Sequence, residues 1–197
     1  MMLNKLSYIL ATKLLKKVKN SNFDIEVYVY GFELIMSTLV CFVTILLLSL
    51  SLSELREGIL FIIIFASLRI FTGGYHAKTY RKCFVITNLS YIFLVLIKNA
   101  MWEIVPTEVW LCLLVVAIIY IWRKTPMVNI AQPISIEKQK ICNRNTKIIL
   151  LFDVICCLFI TLTSKKMMCM MILTVCLVAI FMLIADKSMT YEGRRCL

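Results

Sequence analysis

Histidine and glycine are scarce in this chain. Among 197 residues there are one histidine and five glycines. A zinc site needs three or four protein ligands, so one histidine with one nearby thiol falls short of it. No glycine-rich motif of the phosphate-cradling type occurs either. We therefore expect neither a metal nor an organic cofactor.

Acidic residues are also few. Eleven Asp and Glu stand against 22 Lys and Arg, which gives a formal net charge of +11. Such an excess suits nucleic acid, anionic lipid or an acidic partner. The cations lie in several scattered clusters and no RNA- or DNA-binding pattern appears. We expect no nucleic acid partner, which leaves membrane lipid and an acidic partner.

Apolar residues are abundant. The chain is 61% hydrophobic, with a mean hydropathy of +0.91, whereas soluble domains are nearer half apolar. The sequence thus predicts an all-α integral membrane protein with one membrane domain over residues 1–197. Its apolar runs predict about six transmembrane helices. These cover roughly 32–52, 57–72, 83–98, 106–122, 148–163 and 167–185.

The first 30 residues form a different kind of segment. Five apolar residues recur at helical spacing and line one face: Leu3, Leu6, Leu10, Leu14 and Val18. Most lysines of the segment point away from that face. This pattern is typical of an amphipathic helix on an anionic membrane surface, and the alternative is a solvated basic tail.

The cations between the predicted spans alternate in number. The segments that would share one side of the membrane hold 18 of the 22 Lys and Arg. Cytoplasmic segments carry such an excess. The rule therefore places both termini, the segment 69–83, the basic loop 123–147 and the tail 186–197 on the cytoplasmic side of the cell membrane.

Residues 69–83 read RIFTGGYHAKTYRKC and contain the only histidine, His76. Cys83 opens a predicted span, where helix N–H groups and neighbouring cations favour a nucleophilic thiolate. His76 is the natural general base. Seven residues of straight helix rise about 10 Å, so the segment must bend for the two to meet. Gly73 and Gly74 supply the necessary backbone freedom.

The residues alone leave other readings open. His76 could belong to an interfacial anchoring belt with its neighbouring tyrosines, and Cys83 could be one more packing thiol. A small membrane transporter or a non-catalytic scaffold also fits the spans. Two further polar residues fall inside predicted spans: Asn88, a guess for the group that orients the histidine, and Asp153, an intramembrane carboxylate.

The motif Arg69-x3-Gly73-Gly74-Tyr75-His76-Ala77-x5-Cys83 resembles the signature of the accessory gene regulator B (AgrB) family. The later stretch Pro126-x6-Pro133-Ile134 resembles the same family, as do the length, the basic N-terminal helix and the six-span layout. The resemblance covers essentially the whole chain. One departure is Gln132, where many relatives carry lysine, and it puts a role for that side chain in doubt.

The resemblance implies a membrane cysteine endopeptidase of quorum sensing with His76 and Cys83 as its catalytic pair. Its substrate would be an AgrD-like propeptide with an amphipathic helix, a signal segment and an acidic C-terminal tail. The family is also compatible with a homodimer. For support of the substrate or the active site we expect Arg69, Gly73, Gly74, Arg123 and Lys124. The cations at 123–147 could attract the acidic tail or simply set the topology.

Overall fold

The computed structural model describes residues 2–18, 25–73, 79–127 and 135–195. Within these ranges every regular element is an α-helix, as the fold class predicted. The seven helices are α1 (Met2–Val18), α2 (Ile25–Ser51), α3 (Leu55–Thr72), α4 (Tyr80–Met101), α5 (Thr107–Lys124), α6 (Ile136–Thr163) and α7 (Lys165–Arg195).

The predicted spans lie almost wholly within helices α2 to α7, but some helices are longer. Helix α6 begins at Ile136, where Ser135 caps it by accepting a hydrogen bond from the Lys138 amide at 3.4 Å. The predicted basic loop 123–147 is thus mostly helical, and the connection between α5 and α6 covers only 125–135. Likewise, α7 continues to Arg195 through most of the predicted tail. Apolar runs mark only the lipid-facing part of a helix, so polar helix ends were missed.

Among the residues that the structure describes, four helices are long and apolar enough to cross a membrane: α2, α4, α6 and the part of α7 up to Lys187. The length and composition of these helices are consistent with the predicted α-helical membrane protein. Helices α3 and α5 have 18 residues each, about 27 Å of rise, and each carries three charged residues near its ends. The count of six spans stays a prediction.

Helix α7 is the centre of the bundle. It packs against α3, α4, α5 and α6, and buried residues occur all around it between Met168 and Met182. The helices around it leave many large apolar side chains exposed, such as Leu47 on α2 and Phe93 on α4. A helix that is apolar on every side belongs in a core, whereas the exposed apolar faces of its neighbours suit lipid.

The helix termini and turns lie at two ends of the bundle, which we call the motif end and the opposite end. The motif end carries the C-termini of α3 and α5 and the N-termini of α4 and α6. The opposite end carries the turns α2–α3, α4–α5 and α6–α7. Two contacts join the helices at the opposite end. Lys98 of α4 pairs with Glu54 in the α2–α3 turn, and Lys166 Nζ lies 4.8 Å from the centre of the Trp102 ring.

Helix α1 packs alongside α2. Ser7 and Ala11 are buried in this contact, and the Ser7 hydroxyl lies 3.9 Å from Met36 Sδ. The predicted apolar stripe is on the other side, with Leu6, Leu10 and Leu14 exposed. The small residues thus face the protein, and the stripe stays available to a membrane surface.

Candidate active site

Cys83 lies in the first turn of α4. Thr79 caps this helix by accepting a hydrogen bond from the Lys82 amide at 3.4 Å, and the Cys83 amide donates to the Thr79 carbonyl at 3.1 Å. The Cys83 side chain is partly buried. A thiol in this position is near the positive end of the helix dipole and still within reach of a substrate.

Arg69, in the last turn of α3, interacts electrostatically with Cys83. Its Nη1 donates a hydrogen bond to the Gly73 carbonyl at 2.9 Å, and its guanidinium lies 5.5 Å from the centre of the Phe181 ring. One side chain therefore contacts α7, fixes the end of α3 and places a positive charge near the thiol.

Gly73 ends α3 with φ +69°, a conformation that L side chains rarely adopt. Its backbone forms a parallel bridge with Met127, whose amide donates to the Thr72 carbonyl at 3.0 Å. A Cβ on Gly73 would lie 2.8 Å from the Met127 carbonyl oxygen. Glycine is thus required both for the turn and for the close approach of the second chain segment.

This bridge joins the two motifs that carried the family resemblance. The segment Thr125–Met127 includes Pro126, the first residue of the second motif, and it pairs with the glycine of the first motif. Nothing in the sequence spacing predicted this pairing, because it depends on how α3 and α5 end beside each other.

Two of the predicted site residues fall outside the ranges that the structure describes. His76 and Gly74 lie in 74–78, outside the described residues. The structure therefore brings together Arg69, Gly73 and Cys83 among the predicted site residues, and the His76–Cys83 pair stays a prediction.

Cys41 of α2 is a neighbour of the site that sequence reasoning missed. It is buried and interacts electrostatically with Cys83, and its Sγ lies 3.6 Å from the Asn88 amide nitrogen. That nitrogen also donates to the Phe84 carbonyl at 2.8 Å, while the buried Asn88 Oδ1 has no hydrogen-bond partner among the described residues. The sequence offered no signal for Cys41, which reads as one of several thiols in apolar runs.

The two predicted cations at the end of α5 differ in their surroundings. Arg123 is exposed, whereas Lys124 Nζ lies 2.8 Å from Asp186 Oδ2 of α7. The hydrogen bond and charge of Asp186 raise the pKa of Lys124. Lys147, in the first half of α6, lies 5.0 Å from the centre of the Trp122 ring. The cations of this region thus belong to helices α5 and α6, and one of them is paired with an aspartate of α7.

Within the described part of the chain, the other acidic and thiol groups do not form a second cluster. Asp153 is buried within α6, and its Oδ2 has no hydrogen-bond partner among the residues described. In the described ranges no group of three or more His, Cys, Asp or Glu side chains is placed to hold a metal ion.

The comparisons with known proteins give one match. No curated protein and no solved structure matches the chain. The family model described as accessory gene regulator B matches residues 5–183, which include both motifs, the five helices from α2 to α6 and most of α7. The chain therefore belongs to the accessory gene regulator B family.

Proposed function

We propose that this membrane protein is a cysteine endopeptidase that removes the acidic C-terminal tail of a quorum-sensing propeptide. Membership of the family indicates a role in agr quorum-sensing peptide processing, and the family in general acts with an AgrD propeptide. The observation that supports the chemistry is the position of Cys83, in the first turn of α4 and beside the Arg69 guanidinium.

The proposed reaction starts with proton transfer from Cys83 to His76. The thiolate attacks the carbonyl that ends the signal segment, and His76 returns the proton to the leaving amine. The acidic tail departs and a thioester joins the peptide to Cys83. A thiol or hydroxyl of the peptide then attacks this thioester, which releases the enzyme and closes a thiolactone or lactone ring.

Ring closure competes with hydrolysis of the thioester. Thioester exchange is nearly balanced in free energy, whereas hydrolysis is strongly favourable, so the site must limit water and hold the peptide nucleophile close. The partly buried position of Cys83, between α2, α3 and α4, supports this requirement. Arg69 is placed to stabilise the thiolate and to hold the Gly73 turn.

The membrane arrangement belongs to the same proposal. Six spans, α2 to α7, would place every segment of the motif end on one side, and the excess of Lys and Arg favours the cytoplasm for that side. A cytoplasmic site keeps Cys83 reduced and gives it access to a newly made propeptide. The cations at the ends of α5 and α6 would attract the acidic tail during encounter.

The decisive experiment co-expresses the propeptide with Cys83→Ala and Cys83→Ser. Either change should reduce tail cleavage by more than about a thousandfold, because it removes the nucleophile, and His76→Ala should do the same. Cys142→Ala is the matched control and should cleave like the unmodified protein. Normal cleavage by a Cys83 variant, or loss of cleavage in the Cys142 variant, would show that the nucleophile is another residue.

A further inference from the structure

The ion pair between Lys124 and Asp186 is more exposed than the other ion pairs of the described residues. The other two both involve the buried Lys98, whereas the Lys124 and Asp186 side chains are 47% and 37% exposed. The pair joins the last residue of α5 to α7 at the motif end. Its exposure makes Lys124 reachable by a carboxylate from outside the protein.

A series of contacts also connects the end of α5, where Lys124 lies, to Cys83. Three residues later, Met127 pairs with the Thr72–Gly73 backbone, and an extended chain of that length covers about 10 Å. The Gly73 carbonyl is in turn held by Arg69, which interacts with Cys83. A peptide bound at Cys83 therefore lies at the same end of the bundle as Lys124.

We propose that Asp186 is an intramolecular competitor for Lys124, which it occupies until a carboxylate of the substrate's acidic tail replaces it. This inference rests on the proposed function, and it names Lys124 as a cation that selects acidic tails. Breaking the Lys124–Asp186 pair costs little free energy, since an exposed ion pair contributes only about 0–1 kcal/mol. One carboxylate replaces another at Lys124, and the displaced Asp186 side chain, which is already 37% exposed, is solvated by water.

Competition predicts that removal of Asp186 strengthens binding of acidic peptides. The probe is a fluorescein-labelled peptide of alternating Glu and Gly, measured on full-length protein in detergent micelles at low salt. Asp186→Asn should lower its Kd roughly two- to fivefold, the range that an exposed ion pair allows. The same peptide with Gln in place of Glu should bind with an unchanged Kd.

Two further variants separate direct competition from a general change of charge. Glu137→Gln adds the same net charge at the start of α6 and should change the Kd by less than Asp186→Asn does. In a Lys124→Gln background, Asp186→Asn should change the Kd no more than Glu137→Gln does, because the cation that it competes for is gone and only the general change of charge is left. An unchanged Kd for Asp186→Asn, an effect equal to that of Glu137→Gln, or an effect that persists in full without Lys124 would each overturn the inference.

The kinetics of propeptide cleavage provide an independent test of the competition. Asp186→Asn should lower KM for an acidic-tailed propeptide and leave kcat unchanged, since the chemistry at Cys83 is not altered. The binding measurement does not depend on cleavage. Failure of the Cys83 experiment would therefore remove the endopeptidase assignment and leave the binding result standing, whereas an unchanged peptide Kd would remove only the role of Asp186.

Discussion

The two ends of the bundle handle charge in opposite ways. At the opposite end, the Lys98 ammonium is fully buried and is held by Glu54 at 2.5 Å and Glu57 at 3.8 Å. At the motif end, Arg123 and Lys124 are exposed, and Arg69 is bound through one backbone carbonyl and one aromatic ring. Buried ion pairs of Lys98 hold helices together at the opposite end, whereas Arg123 and Lys124 are exposed at the motif end.

This difference separates a structural role from a functional one. A buried ion pair that loses one partner leaves an uncompensated charge, which destabilises the fold. An exposed cation that is lost changes the stability little but alters how charged ligands approach. Substitutions at the opposite end should thus act on unfolding, and substitutions at the motif end should act on activity.

The largest effect on stability is expected for Lys98→Met. The change leaves Glu54 and Glu57 without their cation in a largely buried site and should lower the free energy of unfolding by about 3 kcal/mol. Unfolding in mixed detergent micelles measures it. Lys166→Met, at the same end, loses an exposed contact with Trp102 and should cost at most about 1 kcal/mol. Equal losses in the two variants would contradict the contrast between buried and exposed charge.

A glycine substitution tests the motif end. Gly73→Ala places a side chain at φ +69° and 2.8 Å from the Met127 carbonyl oxygen, which should destabilise the fold by about 1–3 kcal/mol. The displaced turn also moves Arg69 and Met127 relative to Cys83, and such misplacement should lower cleavage by about a hundredfold. Cleavage of the propeptide and thermal unfolding of the same sample measure the two effects.

Gly31→Ala is the matched control for this substitution. A Cβ on Gly31 meets nothing within 4 Å, and the position is inside helix α2. Alanine there should stabilise the helix by about 0.5–1 kcal/mol and leave cleavage unchanged. If Gly73→Ala behaved in the same way, the bridge to Met127 would have no part in the activity.

The sequence predicted the helices better than it predicted their contacts. Apolar runs located α2 to α7 because lipid-facing residues must be apolar along a whole span. Cys83 was correctly expected at a helix start, since the chain changes there from polar to apolar. The same runs could not show where helices extend into polar sequence, as α6 does from Ile136.

The contacts that define each end depend on packing between distant segments. Nothing in the sequence predicted that Lys98 would be buried, yet it is fully buried against the turn that contains Glu54. Cys41 and Met127 carry no chemical signature, and they become neighbours of the site only through the arrangement of α2, α3 and α5. Periodicity gives the face of a helix but does not give its partner.

The smallest expected effect concerns the pH dependence of the opposite end. Burial of the Glu54 carboxyl raises its pKa, but the hydrogen bond and positive charge of Lys98 lower it more, so the pKa lies below its ordinary value of about 4.3. A lowered pKa in the folded state means that this group stabilises the fold fully above pH 4.3. The contribution is lost as the pH falls through the folded value.

The contribution of the Lys98–Glu54 ion pair to stability can therefore be measured as a function of pH. The unmodified protein should lose part of its advantage over Lys98→Met as the pH falls below about 4.3, because protonation of Glu54 removes the charge that Lys98 compensates. Unfolding midpoints of both proteins at intervals between pH 7 and pH 3 measure the difference. Gly73→Ala supplies the comparison from the motif end, and its difference from the unmodified protein should stay constant over the same range, since no carboxylate of the described residues takes part in the Gly73 contacts. A constant difference for Lys98→Met as well would show that the buried lysine stabilises the turn through packing of its methylene groups and not through its ion pair with Glu54.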